Sequence, residues 1–481
     1  MSSPWSRRTF LASAGAVLCG GRAAARASSA APSEIPASYL GEAVLRGHRT
    51  RGVDPRRLPV DSEPRVDVVV AGAGFAGLVA ATELRAAGIA SVYVAELDDV
   101  PGGHAQRRNL GGVDVQFGPQ AFDAPTEDGD RPEAYDAFLA PLAARAAPRP
   151  ARMRRRTADG FAFGDPDGSA AECAARCAAA FGGAAGYAGR RRAALEKDAV
   201  DLEAFLTAEK FPKAAARRLR IYARARFGVR GEFLSAGAVV EDYLRRGPAC
   251  GGRRVFSGEG PGGVAARLAT ALGASMRLNR VVLRVVRDGD DVLAYVVDPT
   301  TNYVDRVRAR AAVIAVPPFT AREVCPDLGA DGRFEALPET SVWLQSSFGL
   351  RAPPAGWDAA ADFDAGGLED STTLQRLFAA PAAATPAADP LRPPRQLLDV
   401  RPFPGGAAMP PRIMISRTAP WELRDYVFRE LRGLRPDLAS AATRVDFLRT
   451  GHGPQRPVPK TLSVIGPALA RPAPPFFPAG A

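Results

Sequence analysis

Val68-Val69-Val70-Ala71-Gly72-Ala73-Gly74-Phe75-Ala76-Gly77 decides the fold. A continuous β-branched run, Val66 to Ala71, has the look of a strand buried on both faces. It runs straight into Gly-x-Gly-x-x-Gly, and Leu78 to Ala87 continues as a helix. In such a strand–turn–helix unit Gly72 permits the tight turn, Gly74 lets backbone approach a pyrophosphate, and Gly77 lets the helix lie close on the strand. The amides of Ala73, Gly74, Phe75, Ala76 and Gly77 then sit at a helix start, where N–H groups face anions. A second strand, Ser91 to Ala95, ends at Glu96, placed to grip ribose hydroxyls and to repel a 2′-phosphate. The unit predicts a dinucleotide site.

Six residues past Glu96 comes Gly102-Gly103-His104. Here the chain resembles the flavin-containing amine oxidoreductases, in which a Gly-Gly doublet, usually followed by Arg, supports the phosphates of FAD. The resemblance implies FAD rather than NAD, with Gly102, Gly103 and His104 beside it. Gly102 to Asn109 is similar to the corresponding segment of spermidine dehydrogenase-like proteins. Gln116-Phe117-Gly118-Pro119-Gln120 follows where those proteins carry a Gly-rich turn near the flavin, with Pro119 a departure that removes one backbone N–H. Phe256 to Val264, Arg277 to Val285 and Ala312 to Pro318 resemble later cofactor segments. By that resemblance the backbone of Val282 meets the adenine. Gly451-His452-Gly453 resembles a late block of the same relatives.

The resemblance implies an α/β fold: a Rossmann-like FAD-binding domain interleaved with a mixed α+β substrate domain. The expected organisation is a signal at 1–27, a linker or packing arm at 28–64, a first FAD-binding segment at 65–125 and a mainly helical cap at 126–255. A middle FAD-binding segment at 256–320, a substrate region at 321–445 and a truncated FAD-binding return at 446–481 complete it. In detail, Leu202 to Arg226 reads as one or two amphipathic helices, 264–272 as a helix, 277–286, 291–297 and 311–316 as strands, and Leu423 to Leu434 as a helix. Trp343 and Trp421 could wall a substrate pocket, but read more readily as buried core.

The implied activity is dehydrogenation of an amine, polyamine-like, at its C–N bond by hydride transfer to FAD, with the electron acceptor unassigned. Amine oxidases commonly carry a lysine near the flavin, after the Pro-Pro turn. Ser341 to Ser346 has none, which favours an acceptor other than dioxygen. A desaturase- or isomerase-like flavoprotein acting on apolar substrates, and a non-catalytic relative, remain open on the sequence. No catalytic base is assigned.

Composition narrows the partners. The chain has 481 residues, 46% hydrophobic and 24% charged, and is long enough for a large core. Of 63 basic residues only four are lysines, Lys197, Lys210, Lys213 and Lys460. The net charge of +11 includes four arginines in residues 1–27, a stretch without acids; setting them aside leaves +7, too mild to point to nucleic acid. Of five cysteines Cys19 lies in the leader, the other four have neither zinc-ligand spacing nor the density of a disulfide scaffold, and no metal site is expected. Cys173 and Cys177 share a helix face as small buried residues. Ser6-Arg7-Arg8-Thr9-Phe10-Leu11, a short apolar run and Ala25-Arg26-Ala27 form the layout of a twin-arginine leader. The expectation is export to the periplasm of a folded, cofactor-loaded protein. Phe10 to Gly21 is too short for a transmembrane segment.

Overall fold

The computed structural model describes residues 34–41, 46–48, 52–110, 113–119, 122–123, 154–157, 160–163, 168–184, 186–246, 254–255, 260–328, 339–351, 376–379, 395–402, 411–434, 436–450, 455–460 and 462–463. The leader, His452 and the last eighteen residues lie outside this set.

The strand Arg65–Ala71 is the middle of a seven-stranded sheet. It pairs in parallel with Val92–Ala95 on one side and with Val304–Ile314 on the other. From Val68 on, its alternate side chains enter two cores, which is why Val68 to Ala71 is apolar without a break. Val68 and Val70 pack with Val92, Val94, Leu78 and Ala265 beneath the helices Phe75–Ala86 and Gly260–Leu272. Val69 and Ala71 pack with Tyr93, Val285 and Val296 and with the short helix Pro318–Val324.

The expected strand over 277–286 is two strands. Met276–Arg277 pairs with Val92–Ala95 at one edge, whereas Val281–Asp288 belongs to an antiparallel meander with Asp291–Val297 and Val304–Ile314 at the other. The break falls at Asn279, whose φ is 55°. Asparagine tolerates this left-handed conformation better than most residues. Three residues thus join the two ends of the sheet order, and the curled sheet closes beside Glu96: Glu96 N–H donates to the Arg277 carbonyl (2.8 Å) and Arg280 N–H to the Glu96 carbonyl (2.7 Å). The strand expected at 311–316 begins earlier, at Val304, and ends at Ile314 before Pro317 and Pro318 start the next helix.

A second sheet runs in the order Ala37–Tyr39, Ala442–Thr450, Trp343–Leu350, Arg395–Pro402, Arg376–Ala379. Leu344, Phe348, Val445 and Phe447 bury one face under the helix Pro420–Leu434. The other face meets the hairpin Gln106–Leu110/Val113–Phe117 through Leu448, Leu110, Val115 and Phe117. The 28–64 region therefore does more than link. It supplies Ala37–Tyr39 to this sheet and Val60–Ser62 to the seven-stranded one.

Between residues 168 and 246 helices pack around Leu202, Phe205, Leu219, Val239 and Tyr243. Leu202 to Arg226 is two helices, Leu202–Ala208 and Lys213–Phe227, parted at Pro212. Cys173 and Cys177 sit one turn apart and fully buried on Ser169–Ala180. Trp343 is buried, but Trp421, expected in the core, is 60% exposed at the start of its helix.

Candidate functional site

The glycine turn is as tight as its sequence demands. Gly72 has φ 97°, and a Cβ there would lie 2.7 Å from the Ala315 carbonyl oxygen. A Cβ on Gly77 would lie 1.9 Å from the Gly72 carbonyl oxygen, so only glycine lets the helix start this close. Gly74 N-caps that helix without a side-chain bond, and the first helical bond runs from Leu78 N–H to the Gly74 carbonyl (3.0 Å). The first turn therefore presents amides that have no helical acceptor. Phe75 and Ala76 open this turn.

The doublet is brought onto the same turn. Gly102 forms a parallel bridge with Gly74, its N–H donating to the Ala73 carbonyl (2.8 Å). Gly103 packs on Gly74, where a Cβ would come within 3.1 Å of the Gly74 Cα. A Cβ on Gly74 itself meets nothing closer than Gly103 Cα at 4.0 Å, so a crevice lies open above it.

The Glu96 carboxylate reaches the glycine turn. It is 7% exposed, Oε2 accepts from Ala73 N–H (2.7 Å), and Oε1 accepts from Asp98 N–H (2.9 Å). Burial, helped by the nearby Asp98 charge, pushes its pKa up to about 7 against the opposing pull of the backbone bonds. Each carboxylate oxygen has a further lone pair for a hydroxyl donor. Amides for a diphosphate, a carboxyl group that accepts from a diol when ionised and a side-chain-free gap between them suit an FAD dinucleotide.

The remaining expected residues are distributed around this centre. His104 follows the doublet and is exposed. Val282 is buried in the core with Tyr93, two residues beyond the Arg280–Glu96 bond, and its backbone pairs with Val296 next to a register shift.

Two groups went unnoticed in the sequence. The first is a buried polar cluster behind Glu96. Arg108 donates to Asp98 Oδ2 (3.1 Å), to Asp99 Oδ2 (3.2 Å) and to Gln106 Oε1 (2.9 Å), and Gln106 donates to Asp98 Oδ2 (2.8 Å). Arg46 reaches the neighbouring Leu97 carbonyl (3.3 Å) and Asn279. The second is at the far end of the hairpin. Gln116 accepts from Gly262 N–H (3.1 Å) and donates to the Pro119 carbonyl (2.5 Å), while Gly118 N–H donates to Gln345. The available signal for Gln345 was a polar residue inside an otherwise buried strand. Among the described residues no cluster of His, Cys, Asp and Glu could hold a metal, and no helix is long and apolar enough to cross a membrane.

Comparison with known proteins agrees with this fold. A putrescine oxidase variant redesigned for cofactor binding superposes with a TM-score of 0.60 at 17% identity, covering 86% of this chain and 93% of that one. Cyclohexylamine oxidase from Brevibacterium oxydans gives 0.59 at 16% identity, covering 86% and 92%. A fatty acid isomerase from P. acnes gives 0.56 at 14%, covering 80% and 86%. No curated protein matches the chain. The family described as flavin containing amine oxidoreductase matches residues 75–445. The chain thus belongs to the flavin-containing amine oxidoreductases and is an FAD-dependent oxidoreductase.

Proposed function

We propose that the protein is an exported dehydrogenase that oxidises a polyamine-like amine at a C–N bond and passes the electrons to an acceptor other than dioxygen. The observation that carries the redox reading is the Glu96 carboxylate, held by Ala73 N–H inside the glycine crevice (2.7 Å). In this reading the first-turn amides from Gly74 to Gly77, with Gly102 and Gly103, hold the FAD diphosphate, Glu96 holds the ribose, and His104 and Val282 flank the cofactor. Bound FAD supplies the two-electron oxidant that takes a hydride from the carbon beside the amine nitrogen.

The chain's own part is to bind, orient and exclude water. Beyond Gly118 the hairpin Gln106–Leu110/Val113–Phe117 packs on the second sheet through Phe117 and Leu448, both buried, and in this reading that junction closes the far end of the crevice. An apolar enclosure disfavours the ammonium form, so an entering amine gives up its proton more readily. The absence of lysine from Ser341 to Leu350 supports a non-dioxygen acceptor. Ser6 to Leu11 and the Ala25-Arg26-Ala27 end support export, since the twin-arginine route carries folded cargo.

The test is the visible spectrum of FAD-loaded protein under anaerobic conditions with putrescine, spermidine and a polyunsaturated fatty acid. Bleaching by the two amines alone, and slow recovery in air, is expected. Bleaching by neither amine would remove the amine reading. A reporter carrying residues 1–27 should reach the periplasm, and should fail to do so with Arg7→Lys and Arg8→Lys together.

A further inference from the structure

From Glu96 a line of close backbone contacts leads away along the crevice. Gly74 touches Gly103, and His104 follows. Gly118 lies so close to His104 that a Cβ on it would fall 1.7 Å from the His104 carbonyl oxygen. Gly118 N–H in turn donates to Gln345 Oε1. If the sugar end of a dinucleotide sits at Glu96 and its diphosphate at Gly74 and Gly103, the opposite end of the line is Gln345.

Gln345 is 5% exposed, in the middle strand of the second sheet. Alternation sends Leu344, Ser346 and Phe348 toward the helix Pro420–Leu434, and Trp343, Gln345 and Ser347 toward the hairpin. Its cross-strand neighbour on that side is Leu448, in the small apolar cluster with Phe117. Burying a carboxamide among such residues is costly unless its groups are used. The oxygen is used by Gly118 N–H, which also fixes the orientation of the amide, because a flipped amide would set donor against donor. The bond from Gly118 is made to the oxygen alone, and Nε2 is not among the sealed side-chain atoms left without a partner, which is consistent with a donor that faces open space. The register sets Arg376 in the row of Gln345 and Val400; the charged groups on this side whose contacts are described are Asp446, bonded to Ser38 and Arg444, and Arg108, bonded to Asp98 and Asp99. Both already have partners.

We propose that Gln345 is a positioning residue of the redox site: its oxygen locks the Gly118 turn to the second sheet, and its Nε2–H is the donor offered to the redox ring of bound FAD. This rests on the reading of the crevice as the FAD site. The amide cannot ionise, so the donor is present at every working pH. A carboxyl group at the same place would donate only while protonated.

The experiment compares FAD-loaded wild type, Gln345→Glu and Gln345→Met, with circular dichroism to confirm the fold. The readouts are FAD affinity, visible absorption and flavin reduction potential from pH 6 to 9. Wild type should hold its absorption bands constant across that range. Gln345→Glu should match wild type at the acid end and shift its bands and potential through one ionisation. Gln345→Met should show shifted bands at every pH and bind FAD about tenfold more weakly as the turn loosens. Folded variants with wild-type bands and potential throughout would overturn the proposal. So would a Gln345→Glu protein that loses FAD at every pH, since that marks a structural hold alone. A wild type that takes up no FAD would overturn the crevice reading itself, and the inference with it.

Discussion

Replacing Glu96 by alanine removes a carboxylate that already carries two backbone bonds and leaves the buried Ala73 N–H without its acceptor. Hydrogen bonds to charged groups contribute about 1.5–3 kcal/mol, so FAD affinity should fall roughly ten- to hundredfold in an equilibrium titration. Unchanged affinity would exclude the ribose role. The raised pKa adds a pH signature. Below about 4.5 Glu96 is protonated in folded and unfolded chains alike. Between about 4.5 and 7 the folded protein keeps a proton that the unfolded chain has released. Stability without FAD should therefore decline as pH rises through this window, by at most roughly 3 kcal/mol, and level off above it. Ribose hydroxyls donate to the ionised form, so FAD affinity should run the other way and rise toward pH 7. Urea unfolding and FAD titration of wild type and Glu96→Gln across this range check both slopes, which the glutamine variant should lack.

At the scale of elements, the strand–turn–helix unit is the most constrained part of the chain. Gly77→Ala sets a methyl 1.9 Å from a backbone oxygen that cannot move without moving the central strand. Overpacking of this kind costs about 1–3 kcal/mol, and here it also lifts the helix start from the crevice, so FAD binding should be lost while most of the fold survives. Gly88→Ala is the control. Its φ is 88° but nothing lies within 4 Å, so it should lower stability by about 1 kcal/mol and leave FAD affinity alone. Differential melting with and without FAD separates the two. This unit was legible in the sequence because its contacts are local: turn, helix, second strand and acid all fall between Arg65 and Glu96. The split at Asn279 was not. It follows from the curled sheet bringing its two ends together, which no periodicity in Arg277 to Val286 records. Gln345 was equally hidden, since it meets Gly118 across 227 positions of chain. The exposed Trp421 shows the limit of composition, because an aromatic at a helix start need not face the core.

Across the whole molecule, the nucleotide layer and the second sheet meet through the hairpin Gln106–Leu110/Val113–Phe117, and this junction decides whether the crevice has a far wall. Its apolar part is small: Leu110, Val115, Phe117 and Leu448, with Leu40 packed against them. The same hairpin carries Gln106 and Arg108 into the cluster behind Glu96 and ends in Gly118, so one element serves both ends of the crevice. Phe117 is fully buried here, and so few neighbours cannot close over the space it leaves. Phe117→Ala should cost about 3–5 kcal/mol, the range for a buried phenylalanine truncated in a core that relaxes little. Because the loss falls at the junction, the Glu96 end should keep most of its FAD affinity while the flavin bands shift as they do in Gln345→Met. Chemical denaturation gives the stability change, and titration followed by visible absorption gives the other two. If affinity and spectrum instead fell together in proportion to stability, the hairpin would be acting on the fold as a whole, and the division of the crevice into an anchoring end and a reacting end would have to be abandoned.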